Sequence, residues 1–457
     1  MKFPLLLLFP ATLTLQPLRA ADGAAAPAGT STAAKLDAFL DQRWDAPKPT
    51  ADELIRELNT DAPGLEKLLR SGRASYPAPP QPKGQLTRGL ALNCDHVDHS
   101  TKYMIYVPTG YDAAKATPLI LVAHGGSAGR DVAFGERAAL AGMVPFWLQA
   151  AEKHGCILLA PITDRGWGAI GNSIALSALS KIQREYHIDA DRVYVTGHSM
   201  GGHMTWRSAM TMADRWGAVS PMSGGYDYVK DRQVYACFNV PGYATWGTTE
   251  PYGINGFNKT IAAWMESHGF DWVMHEKEGG HQIFPDEIGP IAEFFLKHPR
   301  NLYRPAVYAR GSGSLTFHRA EEKRPEWPAA STWNEARPIP VSTCHWLRLL
   351  PLPGDTAPEK ALQSVSAVNK GSNSIEITAE NARRLRIYLH PRMVDFAKPV
   401  TITVNGSEVF SKAVQPDLRT MLELVREFDD RGRIFYAAVE VDVPGSRTPP
   451  EPGGKQP

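Results

Sequence analysis

The sequence predicts an α/β domain, built on a doubly wound and mostly parallel β-sheet, followed by an all-β, sandwich-like domain. Between residues 86 and 300, short apolar segments such as Leu119–Ala123 alternate with helical stretches. This alternation is typical of a parallel sheet that helices cover on both faces. After Arg300 helical periodicity becomes scarce, and every second residue is apolar in segments such as 400–404, which is typical of strands with one buried face.

The N-terminal residues have the pattern of a secretory signal peptide, which we assign to residues 1–20. Lys2 precedes an apolar segment from Pro4 to Leu15, and the small residues of Leu18-Arg-Ala-Ala21 provide a cleavage site. The alternative is a membrane anchor, but this segment is short and interrupted by proline. We therefore predict an exported protein, periplasmic or extracellular, without a stable membrane anchor.

Residues 21–85 are predicted to form a flexible tether and a short helical segment. Residues 22–32 are rich in Ala, Gly, Ser and Thr, which favours the tether. Thr50-Ala-Asp-Glu53 is a capping-box sequence that predicts the start of a helix, and a second short helix is expected to end near Gly72. Proline-rich residues then lead into the α/β domain.

The strands of the α/β domain are predicted at 89–94, 103–107, 119–123, 156–160, 193–196, 217–222, 240–246 and 272–276. Its helices are predicted at 135–153, 172–187, 204–212, 254–268 and 286–298. We assign residues 86–300 to this domain and residues 301–446 to the β-sandwich. In the sandwich, Asn405-Gly406 is a strong hairpin signal and 418–426 is the one expected helix. The tail, 447–457, is rich in Pro and Gly and is predicted to be disordered.

Composition excludes several classes of protein. The net charge is +1 without a basic block, so no nucleic-acid partner is predicted. The histidines are scattered and the cysteines widely spaced, so we predict neither a metal site nor a cofactor. Two disulfides are compatible with four cysteines in an exported chain, with the pairing left open, although Cys156 begins an apolar segment and is interpreted as a buried thiol. The cysteines are Cys94, Cys156, Cys237 and Cys344.

The most informative motif is Gly197-His-Ser-Met-Gly201, which lies between a predicted strand and a predicted helix. Gly-x-Ser-x-Gly in this context is the nucleophile-elbow pattern, in which the turn is too tight for a Cβ at its flanks. The turn lifts the Ser199 hydroxyl above the sheet, and the helix N-terminus beneath it favours developing negative charge. Ser199 is therefore the predicted nucleophile of a serine hydrolase.

A serine nucleophile needs a base, and the base needs an orienting acid. In chains with this elbow the order is serine, acid, histidine. His281 follows Gly279-Gly280 just after the last predicted strand, where the flexible step lets the imidazole reach the serine. The other histidines between the serine and the β-sandwich lie on predicted helices or inside a predicted strand, so His281 is the predicted base.

Glu250 is the predicted acid, because it is the only carboxylate in the loop Gly247–Pro251 that follows the preceding strand. Asp227 and Asp231 remain alternatives, since aspartate is the commoner acid in such triads. Glutamate has the same charge with one more methylene, so a small backbone shift would place it against the histidine Nδ1.

The oxyanion hole is predicted to combine the backbone N–H groups of Met200 and Gly126. Gly126 lies in the loop after the strand 119–123, where the absence of side chains lets amides converge on a small anion. His124 opens the same loop and is expected to support its backbone.

Three aromatic residues near the predicted loops are candidates for the substrate pocket. They are Trp167, Trp246 and Tyr252. Core packing accounts equally well for Trp246.

The motifs together resemble those of the α/β-hydrolase superfamily, over roughly residues 100–300. The matching segments are Tyr106–Tyr111, His124–Gly126, Asp189–Gly202, Gly247–Pro251 and Gly280-His281. Within the superfamily they resemble secreted esterases related to polyhydroxybutyrate depolymerases and feruloyl esterases, and catalytic domains of prolyl oligopeptidase-type hydrolases. The resemblance implies a triad of Ser199, Glu250 and His281, although these families usually have Asp as the acid. The C-terminal domain resembles modules attached to similar exported bacterial hydrolases.

These observations favour hydrolysis of a carboxylic ester, small or carried on a polymer. About 65 residues separate the predicted signal peptide from the α/β domain, too few for the β-propeller of prolyl oligopeptidases. The segment between Gly224 and Asn239 is too short for a lipase-type lid domain. The alternatives are a prolyl oligopeptidase-like serine peptidase and a non-catalytic binding protein on a hydrolase scaffold. For the C-terminal domain, glycan contact and structural docking are both left open.

Overall fold

The computed structural model describes residues 31–41, 49–94, 97–98, 100–126, 129–230, 232–312, 332–333, 343–350 and 362–453. The predicted signal peptide, Asp231 and the last four residues of the tail lie outside the described residues. Within these ranges, none of the helices is both long enough and apolar enough to cross a bilayer.

The first part of the chain carries most of the helices and one large sheet. In chain order the elements are α1 (Thr32–Asp41), α2 (Ala51–Leu58), α3 (Ala62–Arg70), β1 (Leu86–Asn93), β2 (Val97–Asp98), β3 (Ser100–Tyr106), β4 (Thr117–Ala123), α4 (Val132–Ala138), α5 (Val144–His154), β5 (Ile157–Pro161), α6 (Ala169–Glu185), β6 (Ile188–His198), α7 (Met200–Thr211), β7 (Val219–Met222), β8 (Gly242–Gly247), α8 (Ile254–Ser267), β9 (Trp272–Lys277) and α9 (Pro285–Lys297). A π-helical segment, Ala139–Met143, joins α4 to α5 where the sequence predicts one continuous helix.

The large sheet has eight strands in the order β1-β3-β5-β4-β6-β7-β8-β9. β1 pairs antiparallel with β3 and β3 antiparallel with β5, whereas the six strands from β5 to β9 in this order run parallel to one another. Successive side chains of β4 point to opposite faces of the sheet. Leu119 and Leu121 pack with α6 and α7 on one face, and Ile120 and Val122 pack with α5 and α9 on the other. The sheet is therefore covered on both faces, which confirms the doubly wound architecture.

The C-terminal part forms two further sheets around one core. Its elements are β10 (Ala306–Ser312), β11 (Thr332–Trp333), β12 (Thr343–Cys344), β13 (Leu347–Leu350), β14 (Leu362–Gly371), β15 (Ser374–Glu380), β16 (Arg384–Leu389), β17 (Val400–Val404), β18 (Ser407–Lys412), α10 (Leu418–Phe428) and β19 (Ala437–Asp442). The sheets have the orders β10-β14-β15-β17-β18 and β12-β13-β16-β19 and share one hydrophobic cluster, as predicted for a sandwich. Asn405 and Gly406 both have positive φ, 52° and 86°, as a tight hairpin between β17 and β18 requires.

The N-terminal helices pack against the C-terminal domain, a placement that the sequence does not predict. The capping box forms as expected: the Thr50 backbone N–H donates to Glu53 at 2.7 Å, and the Thr50 side chain accepts from the Glu53 backbone N–H. Apolar residues of α1, α2 and α3 form one buried cluster with Met421, Leu422 and Val425 of α10. The first helix begins at Thr32, at the end of the segment predicted to be a tether.

The described part of the C-terminal tail has defined contacts, in contrast with the disorder predicted from residue 447. The Arg447 backbone N–H donates to the Ala379 carbonyl at 2.8 Å. The Glu451 carboxylate accepts a hydrogen bond from the Tyr235 hydroxyl at 2.5 Å and lies 2.8 Å from Nε2 of His268. Because Tyr235 and His268 belong to the region of the large sheet, the tail connects the two halves of the chain.

The structure contains neither of the two disulfides that four cysteines would allow. Three of the cysteines, including Cys156 as predicted, are buried. Burial raises the pKa of the Cys156 thiol to about 12, so the thiol is protonated at neutral pH.

A buried ion network joins the two halves of the chain. Arg300, which follows α9, donates to Asp430 at 2.9 Å and to Asp191 at 3.0 Å. Arg433, with a side chain that is 0% exposed, donates to Asp214 at 2.8 Å. Asp191 and Asp214 come from the region of the large sheet, and Asp430 and Arg433 follow α10. The network therefore holds the sandwich against the α/β domain.

His345 beside this network predicts a pH-dependent stability. Burial lowers the pKa of His345 to about 3, against the opposing effect of Asp214. The unfolded chain, with a histidine pKa near 6.5, therefore binds more protons than the folded chain below that pH, and stability falls as the pH falls. This one group is expected to lower the free energy of unfolding by about 2 kcal/mol between pH 7 and pH 5.

Urea unfolding at several pH values checks this expectation. His345→Asn keeps the backbone N–H that donates to Asp214 at 3.2 Å and suits the positive φ of 55° at this position. The variant should show a shallower dependence of stability on pH than the wild type. An unchanged slope would contradict the assignment of this dependence to His345.

Candidate active site

The predicted elbow forms at the junction of β6 and α7. Ser199 lies between the two elements with φ 57° and ψ −118°, a strained conformation for a residue with a side chain. A Cβ on Gly197 would lie 2.4 Å from the Gly201 carbonyl oxygen, and one on Gly201 would lie 2.1 Å from the Ala123 carbonyl oxygen. Only glycine fits these two positions, which is the steric reason for the motif.

The structure brings Ser199, His281 and Glu250 together in the predicted order. His281 Nε2 lies 2.8 Å from Ser199 Oγ, and His281 Nδ1 lies 2.6 Å from Glu250 Oε2. The three residues follow β6, β9 and β8, respectively. Because these strands are parallel, their carboxyl ends, and the three residues with them, lie at the same edge of the sheet. With Nδ1–H donating to the carboxylate, Nε2 is free to accept the serine proton.

Glu250 is the acid that contacts the histidine. Its side chain is 0% exposed, and its Oε1 accepts from the Gly247 backbone N–H at 3.2 Å. Burial raises the pKa of Glu250, but hydrogen bonds from His281, Ser223 and Gly247 outweigh this effect, so the pKa lies below its usual range. The alternative Asp227 instead accepts from the Lys230 backbone N–H at 3.3 Å. The second alternative, Asp231, lies outside the described residues.

Comparison with known proteins gives partial matches, and no family model matches the chain. The chain is 30% identical over 131 residues to the probable feruloyl esterase C of Aspergillus terreus (strain NIH 2624 / FGSC A1156), covering 27% of this chain and 46% of the relative. It is 31% identical over 141 residues to the probable feruloyl esterase C of Aspergillus oryzae (strain ATCC 42149 / RIB 40), covering 29% and 50%. The chain thus spans about half the length of these curated relatives. A solved thermostable esterase aligns with a TM-score of 0.39 and 21% identity, covering 47% of this chain and 63% of that one.

The topology and the elbow identify the fold. A mostly parallel sheet carries a serine on a strained strand-to-helix turn, and the acid and the histidine follow later strands in that order. The domain has the α/β-hydrolase fold.

Two glycines of the α/β-hydrolase domain lie beside the serine, in the loop predicted to complete the oxyanion hole. A Cβ on Gly125 would lie 3.4 Å from Ser199 Cβ, so this residue lies directly against the nucleophile. Gly126 has φ 111°, and a Cβ there would lie 2.7 Å from the ring of Phe134. Met200 is the first residue of α7, where the backbone N–H has no acceptor within the helix. The Gly126 and Met200 amides remain the predicted donors.

His124 supports this loop rather than taking part in the triad. Its Nδ1 lies 2.7 Å from the Gly125 carbonyl oxygen, and its Nε2 accepts from the Thr163 backbone N–H at 3.1 Å. Burial lowers the pKa of His124, so the ring is neutral and these two hydrogen bonds fix one tautomer.

The three candidate pocket residues have different environments. Trp167 is buried, and its indole N–H donates to the His124 carbonyl at 2.8 Å, so it packs behind the glycine loop. Trp246 is also buried, which agrees with the core-packing interpretation. Tyr252 is 88% exposed with φ 58°, two residues after Glu250. Of the three, Tyr252 alone presents its ring to solvent, and a place in the substrate pocket stays a prediction for all three.

Ser223 is a site residue that the sequence reasoning missed. It follows β7 with φ 47°, donates to the Gln282 carbonyl at 3.0 Å and lies within hydrogen-bonding reach of the Glu250 carboxylate. It therefore connects the acid to the residue after His281. A small polar residue before Gly224-Gly225, at the carboxyl end of a predicted strand, was the available signal.

His198, also missed, packs against the triad histidine. The two ring centroids are 4.9 Å apart. Burial and the neighbouring His281 lower the pKa of His198 to about 4. His198 is therefore neutral at neutral pH and places no positive charge beside His281.

Proposed function

We propose that this chain is an exported serine hydrolase that cleaves carboxylic esters through an acyl-enzyme intermediate. The observation that carries the proposal is the continuous hydrogen-bonded path from Ser199 Oγ through His281 to Glu250, with distances of 2.8 Å and 2.6 Å. Export is part of the proposal because of the signal-peptide pattern in residues 1–20.

In the first half of the reaction, Ser199 Oγ attacks the ester carbonyl carbon while His281 Nε2 accepts the hydroxyl proton. The carbonyl oxygen becomes negatively charged, and the Met200 and Gly126 N–H groups stabilise it. The tetrahedral intermediate collapses when His281 returns the proton to the departing alcohol oxygen. Ser199 then carries the acyl group as a new ester.

In the second half, water replaces the alcohol. His281 accepts a proton from the water as its oxygen attacks the acyl carbon, and the second tetrahedral intermediate expels Ser199 Oγ, which recovers the proton. The products are the alcohol and the carboxylic acid. Glu250 remains ionised throughout and stabilises the imidazolium in both halves.

The similarity to proteins named feruloyl esterases supports an ester rather than a peptide substrate. The test is a series of p-nitrophenyl esters of graded acyl length beside a series of peptide anilides, together with labelling by a fluorophosphonate. Ester turnover and labelling that Ser199→Ala abolishes would support the proposal. Turnover of anilides alone would indicate a peptidase, and folded protein without labelling or turnover would indicate a binding protein.

The acid assignment gives a specific expectation: Glu250→Gln should lower kcat by about 10²–10⁴-fold. The amide keeps the shape but neither fixes the Nδ1–H tautomer nor stabilises the imidazolium. Because the pKa of Glu250 lies below its usual range, the wild-type carboxylate is ionised above about pH 5, and the deficit should persist from pH 6 to pH 9. Asp227→Asn is the matched control and should retain wild-type turnover. The reverse pattern would transfer the acid role to Asp227.

For the C-terminal domain, the buried contacts with the α/β-hydrolase domain support a docking role. Glycan contact through this domain stays a prediction. Native electrophoresis of the whole chain through gels that contain soluble plant polysaccharides would check it, since retarded migration would support glycan binding.

A further inference from the structure

The loop that carries His281 requires an explanation for its fixed position. Residues 278–284 connect β9 to α9, and the loop includes Gly279, with φ 138°, and Gly280. Two successive glycines give a chain large conformational freedom. The distance between His281 and Ser199 therefore depends on the contacts that hold this loop, within it and at its ends.

A cluster of polar side chains lies where the loop leaves β9 and enters α9. The Glu287 carboxylate accepts from the Tyr243 hydroxyl at 2.7 Å and lies 2.8 Å from Lys277 Nζ and 3.1 Å from His275 Nδ1. Lys277 Nζ also lies 2.6 Å from Asp286. We call Tyr243, His275, Lys277, Asp286 and Glu287 the base clasp. Its members come from β8, β9 and the first turn of α9.

The base clasp connects the two ends of the loop to each other. Lys277 is the last residue of β9, and Asp286 and Glu287 lie in the first turn of α9. The ion pairs from Lys277 thus connect the residue before the loop to those just after it. Between these ends, the Thr249 backbone N–H donates to the Gly279 carbonyl at 2.9 Å, and the Ser223 hydroxyl donates to the Gln282 carbonyl at 3.0 Å.

The burial of the Glu287 carboxylate is unfavourable in free energy, which is unusual for a residue with only a structural role. Its side chain is 5% exposed, and a buried carboxylate costs free energy that its partners must offset. Replacement of a buried ion pair as a whole by apolar side chains is often neutral or stabilising, so stability alone does not require a carboxylate here. None of the clasp residues takes part in the hydrogen bonds of Ser199, His281 and Glu250 given above, so the proposed chemistry leaves this carboxylate unused.

We propose that Glu287 and Lys277 are positioning residues that fix the ends of loop 278–284 and so keep His281 Nε2 within hydrogen-bonding distance of Ser199. The inference rests on the proposed function for its kinetic consequence, although the ordering of the loop does not depend on it. Displacement of a catalytic group by about 1 Å is enough to lower a rate by as much as 10²-fold.

The experiment compares Lys277→Met, Glu287→Gln and the double variant with the wild type, and with Lys277→Arg. Glu293→Gln is the control, because Glu293 lies on the same helix and its ion pair with Lys153, at 3.7 Å, is exposed. The measurements are kcat and KM for a p-nitrophenyl ester, the rate of fluorophosphonate labelling, thermal unfolding, and hydrogen exchange of the amides of residues 278–284. Activity is measured well below the unfolding temperature of each variant.

Loss of the clasp should lower kcat and the labelling rate about tenfold with little change in KM, and should accelerate hydrogen exchange in residues 278–284. The double variant should lose little more than either single variant, since both remove the same contact. Lys277→Arg should recover most of the rate, and Glu293→Gln should match the wild type.

Two outcomes would overturn the inference. Folded clasp variants with wild-type kcat and labelling rates would reduce the clasp to a stabilising contact, even if their unfolding temperatures fall. Unchanged hydrogen exchange in the loop would do the same. If the wild type itself neither turns over esters nor reacts with the fluorophosphonate, the proposed function fails, and the exchange data alone then decide whether the clasp orders the loop.

Discussion

Ser199→Ala and His281→Ala are each expected to lower kcat for ester hydrolysis by about 10⁶-fold while the protein stays folded. The reason is the direct contact between the two side chains, 2.8 Å from Nε2 to Oγ. Without the hydroxyl there is no nucleophile, and without the imidazole the hydroxyl keeps its proton at neutral pH. The double variant should be no slower than either single variant, because the two groups act as one unit.

The measurement is single-turnover and steady-state kinetics of the three variants, with circular dichroism to establish that each is folded. Both residues are only half-buried, and 28% of the His281 side chain is exposed, so the unfolding temperatures should stay close to that of the wild type. Losses that multiply in the double variant would mean that the serine and the histidine act independently. That result would remove the basis for the proposed mechanism.

The elbow could be predicted because it is a motif of neighbouring residues. The triad could be predicted because it depends only on the order of strands and loops along the chain. Gly197 and Gly201 must be glycine, because a Cβ at either position would lie within 2.4 Å of a carbonyl oxygen. The motif occupies consecutive residues, so it can be recognised directly in the sequence. His281 and Glu250 follow strands of a parallel sheet, and chain order alone places their loops at one edge. The glutamate could be chosen because its loop contains no other carboxylate.

Residues whose role depends on distant partners could not be found in this way. Ser223 contacts the carbonyl of Gln282, which is 59 positions away in the chain. Arg433 reaches Asp214 across 219 positions, and α10 packs on helices near the N-terminus. Polar residues of this kind have no periodic pattern in sequence. The same holds for Trp167, where the sequence gives an aromatic residue near the site but not the direction in which its ring packs.

The second large effect concerns stability: Arg433→Met is expected to lower the free energy of unfolding by about 3–5 kcal/mol. The Arg433 side chain is fully buried, donates to the Asp214 carboxylate at 2.8 Å and to the Asp214 carbonyl at 3.0 Å, and lies 3.9 Å from the centroid of the Phe428 ring. Burial raises the pKa of Asp214, but Arg433 and its neighbours hold it below the usual range. Methionine fills the space yet leaves this carboxylate buried without its strongest partner.

Urea unfolding measures the loss, and a second substitution separates charge from packing. Arg433→Met/Asp214→Asn removes both charges while the asparagine still accepts from the His345 backbone N–H, which lies 3.2 Å from Asp214 in the wild type. The double variant should recover much of the stability that Arg433→Met loses, because replacing a buried ion pair as a whole is often close to neutral. Lys370→Met, which breaks an exposed pair with Glu376 in the same domain, should leave stability unchanged.

The free energy of unfolding of the double variant decides between two explanations for the loss in Arg433→Met. Lost packing and an unpaired charge predict opposite results for this variant. If Arg433 stabilises the domain contact through its stem and its position against Phe428, removal of the Asp214 charge cannot restore what methionine lost, and the two losses should add. If the unpaired carboxylate is the source of the loss, the second substitution removes it and the losses should partly cancel. The burial of Asp214 between Arg433 and His345 favours cancellation, since water cannot solvate a carboxylate at this depth.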